Sequence, residues 1–378
     1  MEGTRTLKRT RLVRLLAACA LCLGLAFAFA CSGGGSEGAS GGDAPKNDQA
    51  AESATRTFTD SAGREVEVPA QIDRIAPAGH TATQVLLTMA PDKLATLSQE
   101  LTADQAKYLG GDYADLPVTG AAFGAKGDLN KEAVAAAGAQ ILIDTGEAKD
   151  GIKEDLDTLQ TQLGIPVVFV ETTMDTYGDA YEMLGELLGM EDRGAELSAY
   201  CKNAYDETVS VMAGIPEDQR VRVAYLLGDA GTNTIAKNSY QGQVVDLVAN
   251  NVADLGKVSG SGSGTEVSLE QVSLWDPELI LFQEGSIYDT VGSDPAWADL
   301  SAVKSGNYYE VPGAPWCWLN NPPTVNQVLG MQWLPRLLYP DHYDDDMYDT
   351  VAGYFKTFYG YDLSQAEFDE IAAHAQAK

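Results

Sequence analysis

The sequence predicts an α/β protein in which two parallel-sheet lobes are joined by one long α-helix. Three observations support this fold class. Short apolar strands alternate with helices, one helix–strand pattern occurs in both halves of the chain, and a long helical stretch separates the halves. Continuous apolar strands that alternate with helices are typical of parallel sheets covered on both faces. We therefore expect each half of the chain to build its own sheet.

One short pattern occurs twice, 138 residues apart. Each copy is a helix start followed by an apolar run, at residues 129–134 (LNKEAV) and 141–143, and again at residues 267–272 (VSLEQV) and 279–281. Asn130 and Ser268 are suited to cap the helices, and Glu132 and Glu270 in the first turns complement the helix dipole. Any two α/β units can look alike, but a glutamate at the same place in both halves predicts one protruding acidic side chain on each lobe.

The first lobe is predicted to span residues 56–175. It opens with a β-hairpin at residues 57–59 and 64–68, which flank the turn DSAG. The other elements alternate between apolar strands and helices. The strands are 72–76, 94–97, 141–143 and 167–170, and the helices are 81–89, 103–109, the Glu132 helix and 152–163.

Connecting helices are predicted over residues 176–215, because two helical stretches follow each other with no strand between them. Tyr177, Tyr181, Leu184 and Leu188 share one face of the first, and the second runs over residues 192–213. Strand–helix alternation then resumes in a second lobe at residues 216–378. Its strands are 221–227, 279–282 and 308–311, and its helices are 244–250, the Glu270 helix, 324–338, 344–358 and 364–377.

The N-terminus predicts export. Five basic residues precede an uncharged apolar run at residues 15–30, which is short for a membrane span but suits a secretory signal. The run ends at Cys31 before a Gly/Ser stretch, and residues 1–31 resemble a bacterial lipoprotein signal in which Cys31 receives the lipid. The alternative is plain secretion with an unmodified thiol. Residues 32–55 contain almost nothing apolar and are expected to form a disordered tether.

The charge balance excludes some partners. Residues 1–31 carry five of the 25 basic and one of the 55 acidic residues, which leaves 20 against 54 and a net charge of −34. Such an acidic chain argues against nucleic acid and anionic lipid as partners. Beyond Cys31 only Cys201 and Cys317 remain, which make neither a disulfide framework nor a zinc motif.

Few residues suggest covalent chemistry. His342 and His374 lie in polar surroundings near the C-terminus and are expected on the surface. The sequence has no H-x-x-x-H pair, no His/Cys cluster and no G-x-S-x-G elbow, so metallohydrolase and α/β-hydrolase readings lack their residues. We therefore do not expect an enzyme.

Two places suit ligand contact instead. His80 follows the first predicted strand at the start of a helix, and ligands of open α/β sheets lie at such strand ends. Trp316 and Trp318 occupy a proline-rich loop, which suits a flat, partly apolar ligand. The alternatives are a helix-start residue without a ligand for His80 and core packing for the two tryptophans.

Over residues 57–339 the chain resembles the substrate-binding proteins of ABC importers for iron-siderophores, haem and cobalamin. The resemblance is carried by the strand–Pro77–His80 opening, the interlobe helix and several motifs. These motifs are residues 59–64 (TDSAGR), 129–143, 163–168 (LGIPVV), 267–281, 302–309 (AVKSGNYY), Pro322-Pro323 and 330–334 (GMQWL). The resemblance implies two lobes on a rigid helix with the ligand in a cleft between them, and no resident cofactor.

The resemblance also implies residue roles. Glu132 and Glu270 fall on the family's paired glutamates, which dock on arginines of the membrane permease. The predicted ligand-binding residues are His80, Tyr240, Gln283, Trp316, Trp318 and Asn320. Many relatives carry arginines where this chain has Asn321 and Asn326 or Gln327, which favours a less anionic ligand.

Together these features predict an extracytoplasmic, lipid-anchored, monomeric binding protein. It would deliver a metal chelate, such as a ferric siderophore, haem or a corrinoid, to an ABC permease. One alternative is a binding protein for a bare metal ion or oxoanion. The other is a secreted, cofactor-dependent enzyme on a similar scaffold.

Overall fold

The first sheet and its hairpin come from the part of the chain between Thr55 and Glu171. A computed structural model describes residues 54–113, 115–123, 127–256 and 262–377. The predicted signal, its Cys31 and all but the last two residues of the predicted tether lie outside the described residues. Strands β1 (Thr55–Thr59) and β2 (Glu65–Pro69) pair antiparallel as the predicted hairpin.

The first sheet is parallel and has the order β3 (Ile75–Pro77), β4 (Ile141–Gly146), β5 (Val167–Glu171). Its helices are α1 (His80–Met89), α2 (Ala103–Leu109), α3 (Lys131–Ala136) and α4 (Ile152–Leu163). All six residues of β4 are buried, as expected for the central strand of a covered sheet. The strand predicted at residues 94–97 is reduced to two isolated bridges, between Ile75 and Leu94 and between Leu97 and Val118.

Hydrogen bonds from the hairpin turn, which contains a buried ion pair, fix the hairpin to β5. The Arg64 guanidinium lies 3.0 Å from the Asp60 carboxylate and donates to the Val167 carbonyl oxygen at 3.0 Å. The Ser61 N–H donates to the Phe169 carbonyl oxygen at 2.9 Å. The Arg64 guanidinium can be buried at this junction because it is paired with the Asp60 carboxylate and also donates to the Val167 carbonyl oxygen.

The connecting helices are α5 (Tyr177–Leu188) and the long α6 (Glu191–Ala213), close to their predicted bounds. They pack at close range because small residues face each other. A Cβ atom at Gly194 would lie 2.6 Å from the Tyr181 carbonyl oxygen and 2.9 Å from the Gly185 Cα. Only glycine leaves room for this close approach, so Gly194 sets the distance between the two helices.

The second sheet is mixed. Its strands are β6 (Arg222–Leu227), β7 (Asn233–Thr234), β8 (Asn250–Asn251), β9 (Thr265–Glu266), β10 (Leu279–Phe282) and β11 (Tyr308–Glu310). They have the order β11-β10-β6-β7-β9, with β8 beside β6. The strands β6, β10 and β11 are parallel as predicted. The parallel strand β8 was not predicted, since the helix expected over residues 244–250 ends at Val248, and β7 and β9 add an antiparallel edge. The lobe's first helices are α7 (Gln243–Val248), α8 (Leu269–Trp275), α9 (Tyr288–Val291) and α10 (Ser301–Ser305).

The C-terminal helices return to the first lobe. These are α11 (Gln327–Leu338), α12 (Met347–Tyr359) and α13 (Gln365–Ile371). The ring of Phe355 on α12 meets Tyr108 on α2 edge-on at 5.2 Å between centroids. The Lys107 ammonium pairs with Glu367 on α13 at 2.9 Å. Residues assigned by sequence to the second lobe therefore complete the first, and the described residues form one compact unit.

The predicted fold class is confirmed, with two sheets of largely parallel strands on either side of α5 and α6. Among the described residues, no helix combines the length and the apolar character that a membrane crossing needs.

Candidate functional site

A cleft of about 560 Å³ lies between the lobes at the carboxyl ends of β3 and β4. The first lobe contributes residues 78–81, 121, 123, 144–147, 149, 152, 155 and 169, and the second lobe contributes 240, 241, 262 and 321–323. Strand ends of open α/β sheets are the usual place for a ligand, and the volume falls within the roughly 300–1,000 Å³ of small-molecule sites.

His80 lies at this cleft as predicted. It is the first residue of α1, and the N-cap residue Gly79 supplies no side-chain hydrogen bond to the helix. The imidazole is exposed, and its Nδ1 lies 2.9 Å from the Ser98 Oγ on the protein side. His80 thus lines the cleft, and its role in binding stays a prediction.

Asp144 is a cleft residue that the sequence reasoning missed. It lies on the buried strand β4 and lines the cleft. Burial raises the pKa of its carboxyl from 3.8 to about 7, an effect only partly offset by a hydrogen bond from the Thr145 backbone and by the charge of Lys149. The available signal was an aspartate placed directly after the apolar run at 141–143. Perturbed carboxyls of this kind cluster at functional sites.

The other polar groups give the cleft an acidic character. Glu147 and Asp155 are exposed carboxylates, Lys149 is the matching cation, and no arginine belongs to the described lining. Two buried oxygen atoms, Thr145 Oγ1 and Gln241 Oε1, have no hydrogen-bond partner among the described residues. Buried polar atoms are normally paired, so these two are suited to a ligand or water in the cleft.

Tyr240 also lies where the sequence placed it, on the cleft wall of the second lobe. Its hydroxyl donates to the Thr172 carbonyl oxygen at 2.8 Å, just after β5 of the first lobe. Burial raises the pKa of this phenol. Tyr240 thus connects the two lobes at the cleft edge, and direct ligand contact stays a prediction.

The predicted aromatic wall is wrong. Trp316 and Trp318 are 5% and 0% exposed and lie in the hydrophobic core. The Trp318 Nε1–H donates to the Ala314 carbonyl oxygen at 2.9 Å, and its ring meets Trp333 edge-on at 6.2 Å. The loop turns inward because Gly330 on α11 leaves room for it, since a Cβ atom there would collide with the Trp318 carbonyl oxygen. Core packing is therefore the correct interpretation of these rings.

Asn320 and Gln283 are also absent from the described cleft wall. Asn320 is fully buried, and its Oδ1 accepts from the Tyr225 hydroxyl at 2.6 Å. Gln283 follows β10, and its N–H donates to the Leu226 carbonyl oxygen at 3.0 Å. Asn320 is buried in the second lobe, so its prediction as a cleft residue is wrong, whereas ligand contact by the partly exposed Gln283 stays a prediction.

Glu132 and Glu270 begin matching helices away from the cleft. Asn130 Oδ1 accepts from the Ala133 N–H at 2.9 Å, and Ser268 Oγ accepts from the Gln271 N–H at 3.1 Å. Both predicted N-caps are confirmed, and both glutamates are exposed in the first turns of α3 and α8. Permease docking by this pair stays a prediction. Within the described ranges, no group of three or more His, Cys, Asp or Glu residues is placed to hold a metal ion.

A two-lobed α/β body with a ligand-sized interlobe cleft defines a solute-binding protein. Residues 88–315 match the family model described as periplasmic binding protein, and the chain belongs to this family. It is a member of the solute-binding proteins of ABC transporters, which confirms the resemblance seen in the sequence.

Relatives in this class have different cargoes. The chain is 25% identical over 334 residues to the molybdate-binding protein MolA of Haemophilus influenzae, covering 81% of this chain and 91% of MolA. It is 26% identical over 199 residues to the Fe(3+)-citrate-binding protein YfmC of Bacillus subtilis, covering 51% of this chain and 60% of YfmC. An ABC transporter solute binding protein from Sulfurospirillum deleyianum superposes with a TM-score of 0.77 at 28% identity, over 84% of this chain and 98% of that one.

Proposed function

We propose that this protein is a lipid-anchored extracytoplasmic binding protein that captures a metal chelate of low negative or positive charge and delivers it to an ABC permease. The observation that carries the proposal is a roomy cleft in which Asp144, Glu147 and Asp155 outnumber Lys149. The apolar run that ends at Cys31 supports the lipid anchor, and the paired helix starts at Glu132 and Glu270 support permease docking.

The size of the cleft favours a chelate over a bare ion. At about 30 Å³ per water molecule in the liquid, 560 Å³ holds on the order of 20 water-sized groups. A tetrahedral oxoanion has five heavy atoms and contacts only a small part of such a wall. An organic chelate can reach both Asp144 in the first lobe and Gln241 in the second.

The charge of the cleft disfavours strongly anionic chelates. The exposed carboxylates of Glu147 and Asp155 would repel a carboxylate-rich or catecholate ligand, and Lys149 offsets only one of them. The Asp144 carboxyl adds to this repulsion only when it ionises, because its pKa is raised to about 7. Of the positions where many relatives carry arginine, Asn321 lines the cleft, while Asn326 and Gln327 are buried and bonded to the Trp316 and Leu319 carbonyl oxygens. A neutral or cationic chelate fits this wall best.

One observation favours an oxoanion as a second candidate. The N-terminus of α1 opens at the cleft with no side-chain cap at Gly79, beside His80. Uncapped N–H groups at a helix start attract anions. The likeness to MolA, which is described as binding molybdate, points the same way.

The two candidates are separated by charge reversal in the cleft. In the Glu147→Lys/Asp155→Lys variant, affinity for the cationic probe aquacobinamide should fall at least tenfold, whereas affinity for molybdate should rise. Glu217→Lys/Asp218→Lys is the matched control, because it makes the same charge change at exposed positions outside the described cleft wall.

Calorimetry with both probes is paired with elemental analysis and native mass spectrometry of protein purified from its own host. Iron or cobalt with an organic ligand supports the proposal. Molybdenum or tungsten without one supports the second candidate and contradicts the first.

A further inference from the structure

Asp144 is a buried carboxyl group without a cation of its own. It lies on β4, is 8% exposed and lines the cleft. Among the described residues, only the Thr145 backbone forms a hydrogen bond with the carboxyl, and the exposed Lys149 acts on it through its charge alone. Buried carboxylates are normally paired with a cation or bound by several donors. The protein therefore leaves this carboxyl to be completed by a ligand.

The surroundings of Asp144 make the cleft more acidic rather than supplying the missing cation. The titratable and charged groups around it are His80 on α1, Glu147 and Lys149 after β4, Asp155 on α4, Glu171 at the end of β5 and Tyr240 on the second lobe. Lys149 is the only lysine or arginine of the described lining. Burial raises the pKa of the Tyr240 phenol, and the charges of Glu147 and Asp144 raise it further, so the Asp144 carboxyl acts on the opposite wall of the cleft.

We propose that the Asp144 carboxylate binds a positively charged nitrogen of the cargo, an ammonium or guanidinium group that lies apart from the metal. A cation of the ligand supplies the partner that the protein lacks, and such a pair is stronger in a cleft with little water than on the surface. The cargo is then a chelate with a cationic arm. The chelate part of this inference rests on the proposed function, whereas cation binding by Asp144 does not.

Two probes that differ by one charge test the proposal. Ferrioxamine B has a neutral iron(III) trishydroxamate core and one ammonium arm, and its N-acetyl derivative keeps the core but loses the charge. In calorimetry at pH 8, the parent protein should bind the ammonium form at least tenfold more tightly than the acetylated form. Asp144→Asn should remove this preference. The matched control Asp155→Asn, which changes an exposed carboxylate of the same cleft, should keep most of it.

The pH dependence of affinity is the second measurement. Burial raises the pKa of Asp144 to about 7, so about one tenth of the protein carries the carboxylate at pH 6 and about nine tenths at pH 8. Affinity for ferrioxamine B should therefore rise about tenfold between these pH values. Asp144→Asn should abolish the rise, whereas His80→Gln, the control for an imidazole that titrates in the same range, should retain it.

The opposite results overturn the proposal. Affinity that falls as the pH rises would show that a protonated Asp144 donates to an acceptor oxygen of the ligand. Equal affinity of the parent protein for both ferrioxamines, or an unchanged preference in Asp144→Asn, would refute cation binding and leave the chelate cargo standing.

If neither ferrioxamine binds, native mass spectrometry of the cargo that co-purifies with the protein from its own host decides. A chelate with an ammonium or guanidinium group supports the proposal, and a chelate without one overturns it alone. An oxoanion overturns both the proposal and the proposed function. A metal-free organic cation overturns the proposed function and supports cation binding by Asp144.

Discussion

Asp144 and Phe282 occupy equivalent places in the two lobes, each twelve residues after the helix-start glutamate of its repeat. Both are buried on the central part of their sheets, on β4 and β10. Asp144 faces the cleft as a carboxyl, whereas the Phe282 ring packs against Trp297 with centroids 5.7 Å apart. The same scaffold position has become a polar cleft residue in one lobe and a core residue in the other.

The difference extends to the whole cleft. Every charged residue of its described wall, together with His80, comes from the first lobe, and the second lobe contributes a phenol, amides, a glycine and prolines. The repeat keeps what the fold needs in both copies, namely the N-caps Asn130 and Ser268 and the buried Val134 and Val272. The chemistry that discriminates a ligand is concentrated on one side.

The largest effects are expected when Asp144 and Phe282 are each replaced by the residue type found in the other lobe. Phe282→Asp removes the aromatic packing and leaves an unpaired charge in the core, so the free energy of unfolding should fall by roughly 4 kcal/mol or more. Asp144→Phe enlarges a cleft residue instead and should cost no more than about 2 kcal/mol while abolishing ligand binding. Urea unfolding and calorimetry measure the two quantities, and equal destabilisation by both changes would contradict the assigned difference.

A smaller effect concerns the pH dependence of stability. Since the folded-state pKa of Asp144 is raised from 3.8 to about 7, the folded protein holds a proton that the unfolded chain has already lost between these pH values. The stability that this group contributes is therefore fully present below pH 4 and is lost as the pH rises through 7. Asp144→Asn should remove this slope and raise the free energy of unfolding at pH 8 by a few kcal/mol, at about 1.4 kcal/mol per pKa unit.

The control for this measurement is Asp155→Asn, an exposed carboxylate of the same cleft. It should leave the pH profile of urea unfolding nearly unchanged. The predicted direction is wrong if the free energy of unfolding of the parent protein rises between pH 4 and pH 8 and Asp144→Asn removes that rise.

The smallest effect on stability is expected where the lobes are alike. Glu132→Gln/Glu270→Gln should change the free energy of unfolding by no more than about 0.5 kcal/mol and leave ligand affinity intact, because both side chains are exposed and lie outside the cleft wall. Uptake by cells should nevertheless fall several-fold, and reversal to Lys should be worse. If cells with the double Gln variant show normal uptake, both glutamates serve only as helix-start residues and have no docking role.

Much of the fold could be predicted from local sequence. The helices α2 and α4 have the predicted bounds, and both repeated helix starts are capped as expected. The strand predicted at 72–76 begins only at Ile75, because the Gln140 side chain accepts from the N–H groups of Asp73 and Arg74 in place of a neighbouring strand. A contact from 66 residues away decides that boundary.

The cleft was predicted in part. His80 and Tyr240 line it as predicted, and the place of His80 follows from local patterning, because it comes directly after a predicted strand. Asp144 was not predicted as a cleft residue, because an apolar run predicts a strand but does not indicate which side chain at its end contacts the ligand. The tryptophan loop was misjudged because its direction depends on distant partners, namely Gly330, Trp333 and the Tyr359 ring, which lies 6.3 Å from Trp316.

The return of α12 and α13 to the first lobe has a consequence for biosynthesis. Chains are made from the N-terminus, and domains generally fold in that order. In this protein the ring partners of Tyr108 and Tyr181 include Phe355 and Phe358, which are synthesised much later than the first lobe. These aromatic contacts of the first lobe therefore form only after α12 has been synthesised, so the first lobe depends on a segment that follows the whole second sheet in the chain.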